Sequence, residues 1–304
     1  MKIQANGITL EVEDSGGSGE TVLLIMGLGG QLIHWPAGLV QALVDAGYRV
    51  LRFDNRDSGL STHQVAEPAP SIPWVAAQAW LGLGARVPYT LADMAADALG
   101  LLDALGVRSV HVVGMSMGAM IGQRLTLAAP ERVCSLTSIM GSSGARGLMK
   151  PSTEVLRAAA SKPRGHSDLQ ALASYYLRFL TAISSPTLAP PEAALREAFE
   201  RTLRRHPPDT AATYRQLAAI LTDGDRAEML ARIDCPTQVI HGAEDPLVPV
   251  ACGVDTARRI PGARLQIIPD MAHDLAPSPH PEILRRVLDV LLPFLAEHSS
   301  HRKP

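Results

Sequence analysis

Residues 109–129, SVHVVGMSMGAMIGQRLTLAA, decide how the rest of the chain is read. Val110, Val112 and Val113 form a short β-branched run, and Gly114-Met115-Ser116-Met117-Gly118 follows as a sharp turn into a helix. A serine with a glycine two residues away on each side, between a strand and a helix, holds its hydroxyl above a sheet edge on a strained turn. The glycines let strand and helix approach closely, and Ala119 and Gly122 keep the facing side of the helix small. The Met117 N–H stands at the helix start, where backbone donors lack intrahelical partners and face a developing negative charge. As bare structure these five residues would be a tight turn with a capping serine. The strand before them and the helix after favour a nucleophile.

Bulk properties narrow the setting. The chain has 304 residues, 46% hydrophobic and 19% charged, which suits one large α/β domain with room for an insertion. The formal net charge of −2 comes with no basic face, so nucleic acid is not an expected partner. The N-terminal MKIQANGITL lacks an apolar signal core, and the apolar runs, such as 22–26, are only strand-sized. A cytoplasmic protein without a membrane span is therefore expected. Cys134, Cys235 and Cys252 show no paired spacing and read as free thiols.

Working outward toward the N-terminus, residues 2–5 and 8–12 flank Asn6-Gly7 and predict a β-hairpin. Residues 21–26 (TVLLIM) read as a strand buried on both faces, and Gly27-Leu28-Gly29-Gly30 follows at its C-terminal end. No Gly-Lys-Ser/Thr follows, so a phosphate loop is excluded, and an oxyanion loop with Leu28 N–H as a donor is favoured over a plain turn. Residues 36–46 predict a helix and 48–54 a strand ending in Asp54-Asn55-Arg56-Asp57-Ser58-Gly59. There Asp54 and Arg56 could be catalytic, but a structural role is favoured, in which the pair ties a turn beneath the glycine loop. Residues 63–88 read as a long connection carrying Pro68, Pro70, Pro73 and Pro88 and an apolar stretch over 72–87. With Trp74 and Trp80 on this connection and Trp35 after the glycine loop, the three tryptophans are candidates for one pocket mouth, together with Gly27 and Met115; simple packing is the plainer alternative. Thr90 and Asp93 open a helix with a capping-box pattern.

Toward the C-terminus, residues 133–140 are another strand, and no acid stands at its end, Gly141-Ser142-Ser143-Gly144. Residues 145–231 then change character. Helical segments are predicted at 152–161, 167–183, 192–205 and 210–221, with the charged run 196–205 expected on a solvated face. This stretch reads as a helical cap over the active edge of the sheet, splitting the core into 1–144 and 232–304. The sheet resumes with strands at 237–240 and 264–268, followed respectively by His241-Gly242-Ala243-Glu244-Asp245 and Pro269-Asp270-Met271-Ala272-His273-Asp274. Residues 281–298 close as an amphipathic helix, and the tail from 299 is expected to fray.

Strands alternating with helices imply a mostly parallel sheet with functional groups at strand C-terminal ends. Gly27-Leu28, Ser116, Asp245 and His273 occupy four such ends, in the order serine, acid, histidine. The pieces IMGLGG, FDNRDSG, VVGMSMGA, HGAEDPLVP and MAH, in this order, resemble the α/β-hydrolase superfamily over nearly the whole chain. FDNRDSGLS, GMSMGA and the cap position further resemble bacterial esterases related to aclacinomycin methylesterase. The resemblance implies an α/β-hydrolase fold in which Ser116 is nucleophile, His273 general base and then acid, and Asp245 its orienter, with Glu244 a competitor for the acid role. Backbone N–H groups of Leu28 and Met117 would form the oxyanion hole. One departure stands out: Met26-Gly27 replaces the usual His-Gly, and methionine has no N–H with which to brace the loop. His34, His111 and His241 are expected to pack or hydrogen-bond, and Asp270 and Asp274 to face solvent.

Serine at the elbow, where epoxide hydrolases and haloalkane dehalogenases of this fold carry aspartate, implies acyl transfer to water. The expected function is a serine carboxylesterase for small to medium apolar esters, with no cofactor or metal, acting as monomer or homodimer. Lactone or carbon–carbon bond hydrolysis, or cofactor-free perhydrolysis, on the same triad is the alternative, and a ligand-binding member without turnover is the non-enzyme reading.

Overall fold

A computed structural model describes residues 1–161 and 169–299. Strands β1 (Lys2–Ala5), β2 (Ile8–Asp14) and β3 (Thr21–Ile25) lead to helix α1 (Ala37–Asp45), strand β4 (Arg49–Phe53) and helices α2 (Ile72–Trp80) and α3 (Leu91–Ala104). The elbow unit is β5 (Val110–Met115) and α4 (Met117–Ala128), followed by β6 (Val133–Ile139). Helices α5 (Thr153–Ala160), α6 (Leu169–Ile183), α7 (Glu192–Arg205), α8 (Thr210–Leu221) and α9 (Arg226–Met229) fill the span before β7 (Thr237–Gly242). Helix α10 (Val250–Arg259), β8 (Arg264–Ile268) and α11 (Pro281–Glu297) complete the chain.

The strands form one sheet in the order β1-β2-β4-β3-β5-β6-β7-β8. Among the described residues only the β1–β2 and β2–β4 pairings are antiparallel; along the sheet from β4 to β8 the strands run parallel. The N-terminal hairpin turns on Asn6 and Gly7, both at positive φ (47° and 76°), as the right-handed twist of paired strands requires. Side chains on β3 alternate between two cores, as a two-residue repeat dictates. Leu23 and Ile25 pack with α3 and α4 residues such as Leu91, Leu101 and Ile121. Val22 and Leu24 pack with Leu39, Leu43, Val287 and Leu291 of α1 and α11 on the other face. Thr90 caps α3 in a reciprocal capping box with Asp93. Val155, Leu177, Leu180, Ile183 and Leu195 make a small core of their own among α5, α6 and α7.

The connection read as loop over 63–88 contains α2. Its nine residues, IPWVAAQAW, start with proline in the first turn, where the missing N–H costs no hydrogen bond. The helix packs against α8 and buries Val75 but little else of itself. Helix α10 is also unannounced by the pattern because Gly253 interrupts it. That glycine is required by a neighbour: a Cβ there would come within 2.5 Å of His241 Nδ1. The predicted start of α6 at 167 and the tail from 300 onward lie outside the described residues. Ser299, expected to fray, is instead held by hydrogen bonds to Tyr48 and Leu295.

Candidate active site

Ser116 sits between β5 and α4 at φ 56° and ψ −120°. A non-glycine residue in this region carries a strain of about 1–3 kcal/mol. The surroundings enforce it. Ser116 N–H donates to Ile139 O on β6 (2.9 Å). A Cβ on Gly118 would lie 1.9 Å from Ile25 O, and one on Gly114 would lie 2.2 Å from Gly118 O, so the chain can close this turn only through glycines. The hydroxyl stands half-buried at the C-terminal end of the sheet.

Two distant loops converge on it. His273 Nε2 lies 3.0 Å from Ser116 Oγ, and His273 Nδ1 lies 2.7 Å from Asp245 Oδ2. The carboxylate only accepts, so Nδ1 carries the proton and Nε2 is left to accept from the serine O–H. The other oxygen of Asp245 accepts from Leu247 N–H and Val248 N–H, which pins the carboxylate and the turn together. Asp245 is buried, whereas Glu244 points to solvent. His241, buried beside Asp245, donates from Nε2 to Val248 O, and burial holds its pKa below the ordinary value. His111 bonds Ser135, and His34 bonds Thr202 Oγ1, so these histidines hydrogen-bond within the fold as expected.

Asp274 differs from its expected solvent-facing position. It is buried and accepts from Ser185 N–H and Ala272 N–H. Desolvation raises its pKa, against the hydrogen bonds that lower it. Its partner Ser185 follows α6, and His273 N–H itself donates to Ile183 O at the end of α6 (3.0 Å). The helical segment between β6 and β7 thus holds the histidine loop by its backbone. Asp270 is half-exposed.

The glycine loop closes as a tight turn, with Gly30 N–H donating to Gly27 O and Gly29 at φ 65°. It lies against Ser116: a Cβ on Gly27 would approach Ser116 Cβ to 3.1 Å. Asn55 Nδ2 holds Met26 O, and Gln216 Oε1 of α8 accepts from Gly29 N–H (2.8 Å). Asp54 and Arg56 do not pair as expected. Asp54 accepts from Leu32 N–H, Leu60 N–H and Arg205, and Arg56 binds Asp97. Asp54 therefore does brace the segment after the glycine loop, but through Leu32 and with a different cation. Arg205 belongs to the charged run expected in solvent; it turns inward to Asp54 and Gln31 because α7 docks on this loop. Asp57, next along, forms a bidentate buried pair with Arg215 of α8 and accepts from Tyr89. Burial would raise Asp57, but Arg215 and Tyr89 outweigh it and hold its pKa below the carboxylate norm.

Arg215, Gln216, Asn55 and Asp57 escaped the sequence reading, although a signal existed. Ala212, Arg215, Gln216 and Ala219 recur at the spacing of one helix face, and all four are buried. Polar side chains on an inward face require polar partners. The tryptophans do not share an environment. Trp35 is buried in the core with Met26 and Leu39, and Met115 is buried there too. Trp74 and Trp80 are 65% and 78% exposed on α2. Among the described residues no group of histidine, cysteine and carboxylates is arranged to hold a metal, and no helix is long and apolar enough to cross a membrane.

A serine on a strained strand-to-helix turn, with histidine and aspartate delivered by the two last strands of a mostly parallel sheet, can be compared with known proteins. The chain is 30% identical to rhodomycin D methylesterase DnrP of Streptomyces peucetius, over 90% of this chain and 91% of that one. It is 30% identical to a putative carbamate hydrolase, RutD, of Azorhizobium caulinodans, over 84% and 85%. A hydrolase of Pseudomonas aeruginosa PA01 superposes with a TM-score of 0.72 at 29% identity, covering 97% of each chain. The sequence profile of the α/β hydrolase fold matches residues 20–277, which takes in the elbow, both converging loops and every helix between β6 and β7. By fold and by sequence, the chain belongs to the α/β hydrolase family.

Proposed function

We propose that this protein is a serine hydrolase of carboxylic esters, acting on small to medium, largely apolar substrates through an acyl-enzyme. The observation that carries the reading is the continuous relay from Ser116 Oγ to His273 Nε2 and from His273 Nδ1 to Asp245, at 3.0 Å and 2.7 Å. Serine is a weak nucleophile until an adjacent base takes its proton. His273 accepts that proton as Ser116 Oγ attacks the acyl carbon, and Asp245 stabilises the imidazolium. The negative charge on the former carbonyl oxygen falls to the N–H groups of Leu28 and Met117; losing one such donor costs about 3–4 kcal/mol of barrier. Collapse expels the alcohol, which takes the proton from His273. Water, deprotonated by His273, then releases the acid and restores Ser116. Each role is filled by a group of the chain itself. Residues 145–231 act as the cap, and their contacts with both the glycine loop and the histidine loop support that role. The methylesterase and carbamate hydrolase relatives, both named for hydrolytic reactions, support the reaction class.

The test is direct. Purified protein is expected to release p-nitrophenol from p-nitrophenyl acetate and butyrate, and a fluorophosphonate to label Ser116 once per chain. Ser116→Ala is expected to lower kcat by at least about 10⁴-fold. An alanine variant that turns over as fast as the parent, or a parent that releases nothing, refutes the assignment. A methyl ester and a lactone in the same panel rank the leaving groups.

A further inference from the structure

We infer that Gln216, on α8, is the positioning residue of the oxyanion loop, filling the bracing place that Met26 leaves open; this rests on the serine-hydrolase reading above. Its side chain is fully buried. Gly29 N–H donates to Oε1 at 2.8 Å, while Nε2 donates to Arg56 O at 2.7 Å and to Ser58 Oγ at 2.9 Å. Turning the amide over would set Nε2 against the Gly29 N–H and Oε1 against the Arg56 carbonyl, donor on donor and acceptor on acceptor. Only one orientation satisfies the pocket, so the acceptor faces the loop. The bond seizes the peptide between Leu28 and Gly29. On the other side of Leu28, the Gly27 carbonyl accepts from Gly30 N–H and Asn55 holds the Met26 carbonyl. The peptides on both sides of the Leu28 residue are therefore held, which fixes the direction of its N–H in a loop whose Gly27 lies against Ser116. Thr213, one turn earlier on α8, covers Gly29 from above: a Cβ there would meet Thr213 Oγ1 at 3.6 Å. Met26 contributes bulk only, its side chain lying against Gly30.

The chemical consequence is specific. An oxyanion donor works by being oriented before the charge appears. A slack loop therefore weakens binding of the tetrahedral species and leaves binding of the intact ester almost untouched.

Gln216→Met keeps the length and removes the hydrogen bonds. With p-nitrophenyl butyrate, its kcat is expected to fall about 10- to 100-fold, short of the roughly 10²–10³-fold that follows loss of a donor itself, with KM within twofold of the parent. A trifluoromethyl ketone, which adds to Ser116 and places an oxyanion in the hole, is expected to lose affinity by the same factor as kcat. The matching methyl ketone, a ground-state ligand, is expected to bind as before. Should Gln216→Met not fold, Gln216→Asn, one methylene too short to reach Gly29, carries the same test. A kcat within threefold of the parent overturns the inference. So does an equal loss of both ketones. Failure of the ester-hydrolase reading looks different, because the parent itself then releases no p-nitrophenol.

Discussion

The helical segment between β6 and β7 is fastened beside the glycine loop and beside His273 by different kinds of chemistry. On the oxyanion side the ties are side chains: Arg205 on Asp54 and Gln31, Arg215 bidentate on Asp57, Gln216 on Gly29, and Thr202 on His34. On the histidine side they are mostly backbone: His273 N–H to Ile183 O and Ser185 N–H to Asp274. Buried ion pairs hold firmly only while both partners are present and charged. Backbone bonds depend on the path of the chain and are indifferent to most substitutions. The glycine loop is thus held by side chains, neutral at Gly29 and charged at Asp54 and Asp57, and the loop of His273 mostly through backbone N–H groups. Removing Arg215 breaks this contrast hardest. Arg215→Ala leaves Asp57 buried without its cation, and urea unfolding is expected to show a loss of about 3–5 kcal/mol. Arg215→Met paired with Asp57→Leu, which removes both charges, is expected to regain much of that loss.

Acid acts at His34 and at Asp274 with opposite signs, without any mutation. Burial, aided by Arg205 and Arg201, lowers the His34 pKa to about 4. Unfolded, the same imidazole titrates near 6.5. Between these values the unfolded chain binds a proton that the folded one refuses, so stability falls as pH drops from 6.5 to 4 and levels off below. The full difference is about 3 kcal/mol, of which about 2 is lost between pH 7 and 5. At Asp274, on the histidine side, the sign reverses. The pKa of Asp274 is raised, chiefly by desolvation. A buried carboxyl that prefers its proton contributes more stability in acid than at neutral pH. Urea midpoints at pH 7 and pH 5 are expected to fall in the parent, and His34→Asn is expected to lose about 2 kcal/mol less over the same interval.

The same division marks what was legible in the sequence. The elbow, the Asn6-Gly7 hairpin, the α3 capping box and the limits of α7 and α8 all follow from residues within a few positions of one another. Serine, acid and histidine were legible as strand-end residues in a telling order, and the fold brings those three together. Partner choice across the docked helices was not legible. Asp54 and Arg56 are two residues apart and looked like a pair, yet each takes a distant partner, Arg205 and Asp97. Arg205 looked solvated because nothing local shows that the last turn of α7 lands on Asp54, 151 residues away. Asp274 looked exposed beside His273 until the chain after α6 brought Ser185 N–H onto it. The α2 stretch looked like loop because proline and exposed tryptophans mask its helical turn.

The smallest expected effect tests whether the histidine side really rests on backbone. Asp274→Ala removes the acceptor for Ser185 N–H and Ala272 N–H but leaves the bond from His273 N–H to Ile183 O. Two buried donors lose their partner, which costs about 1–3 kcal/mol in urea unfolding. Part of that is offset because a desolvated carboxyl also disappears, so the lower half of the range is expected. The more telling readout is catalytic. His273 keeps its bonds to Asp245 and Ser116, so kcat for p-nitrophenyl butyrate is expected to stay within about threefold of the parent, an amount worth less than 1 kcal/mol of barrier. A loss as large as that of Gln216→Met would mean that the histidine loop depends on a side chain for its aim as much as the oxyanion loop does, and the contrast between the two sides would fail.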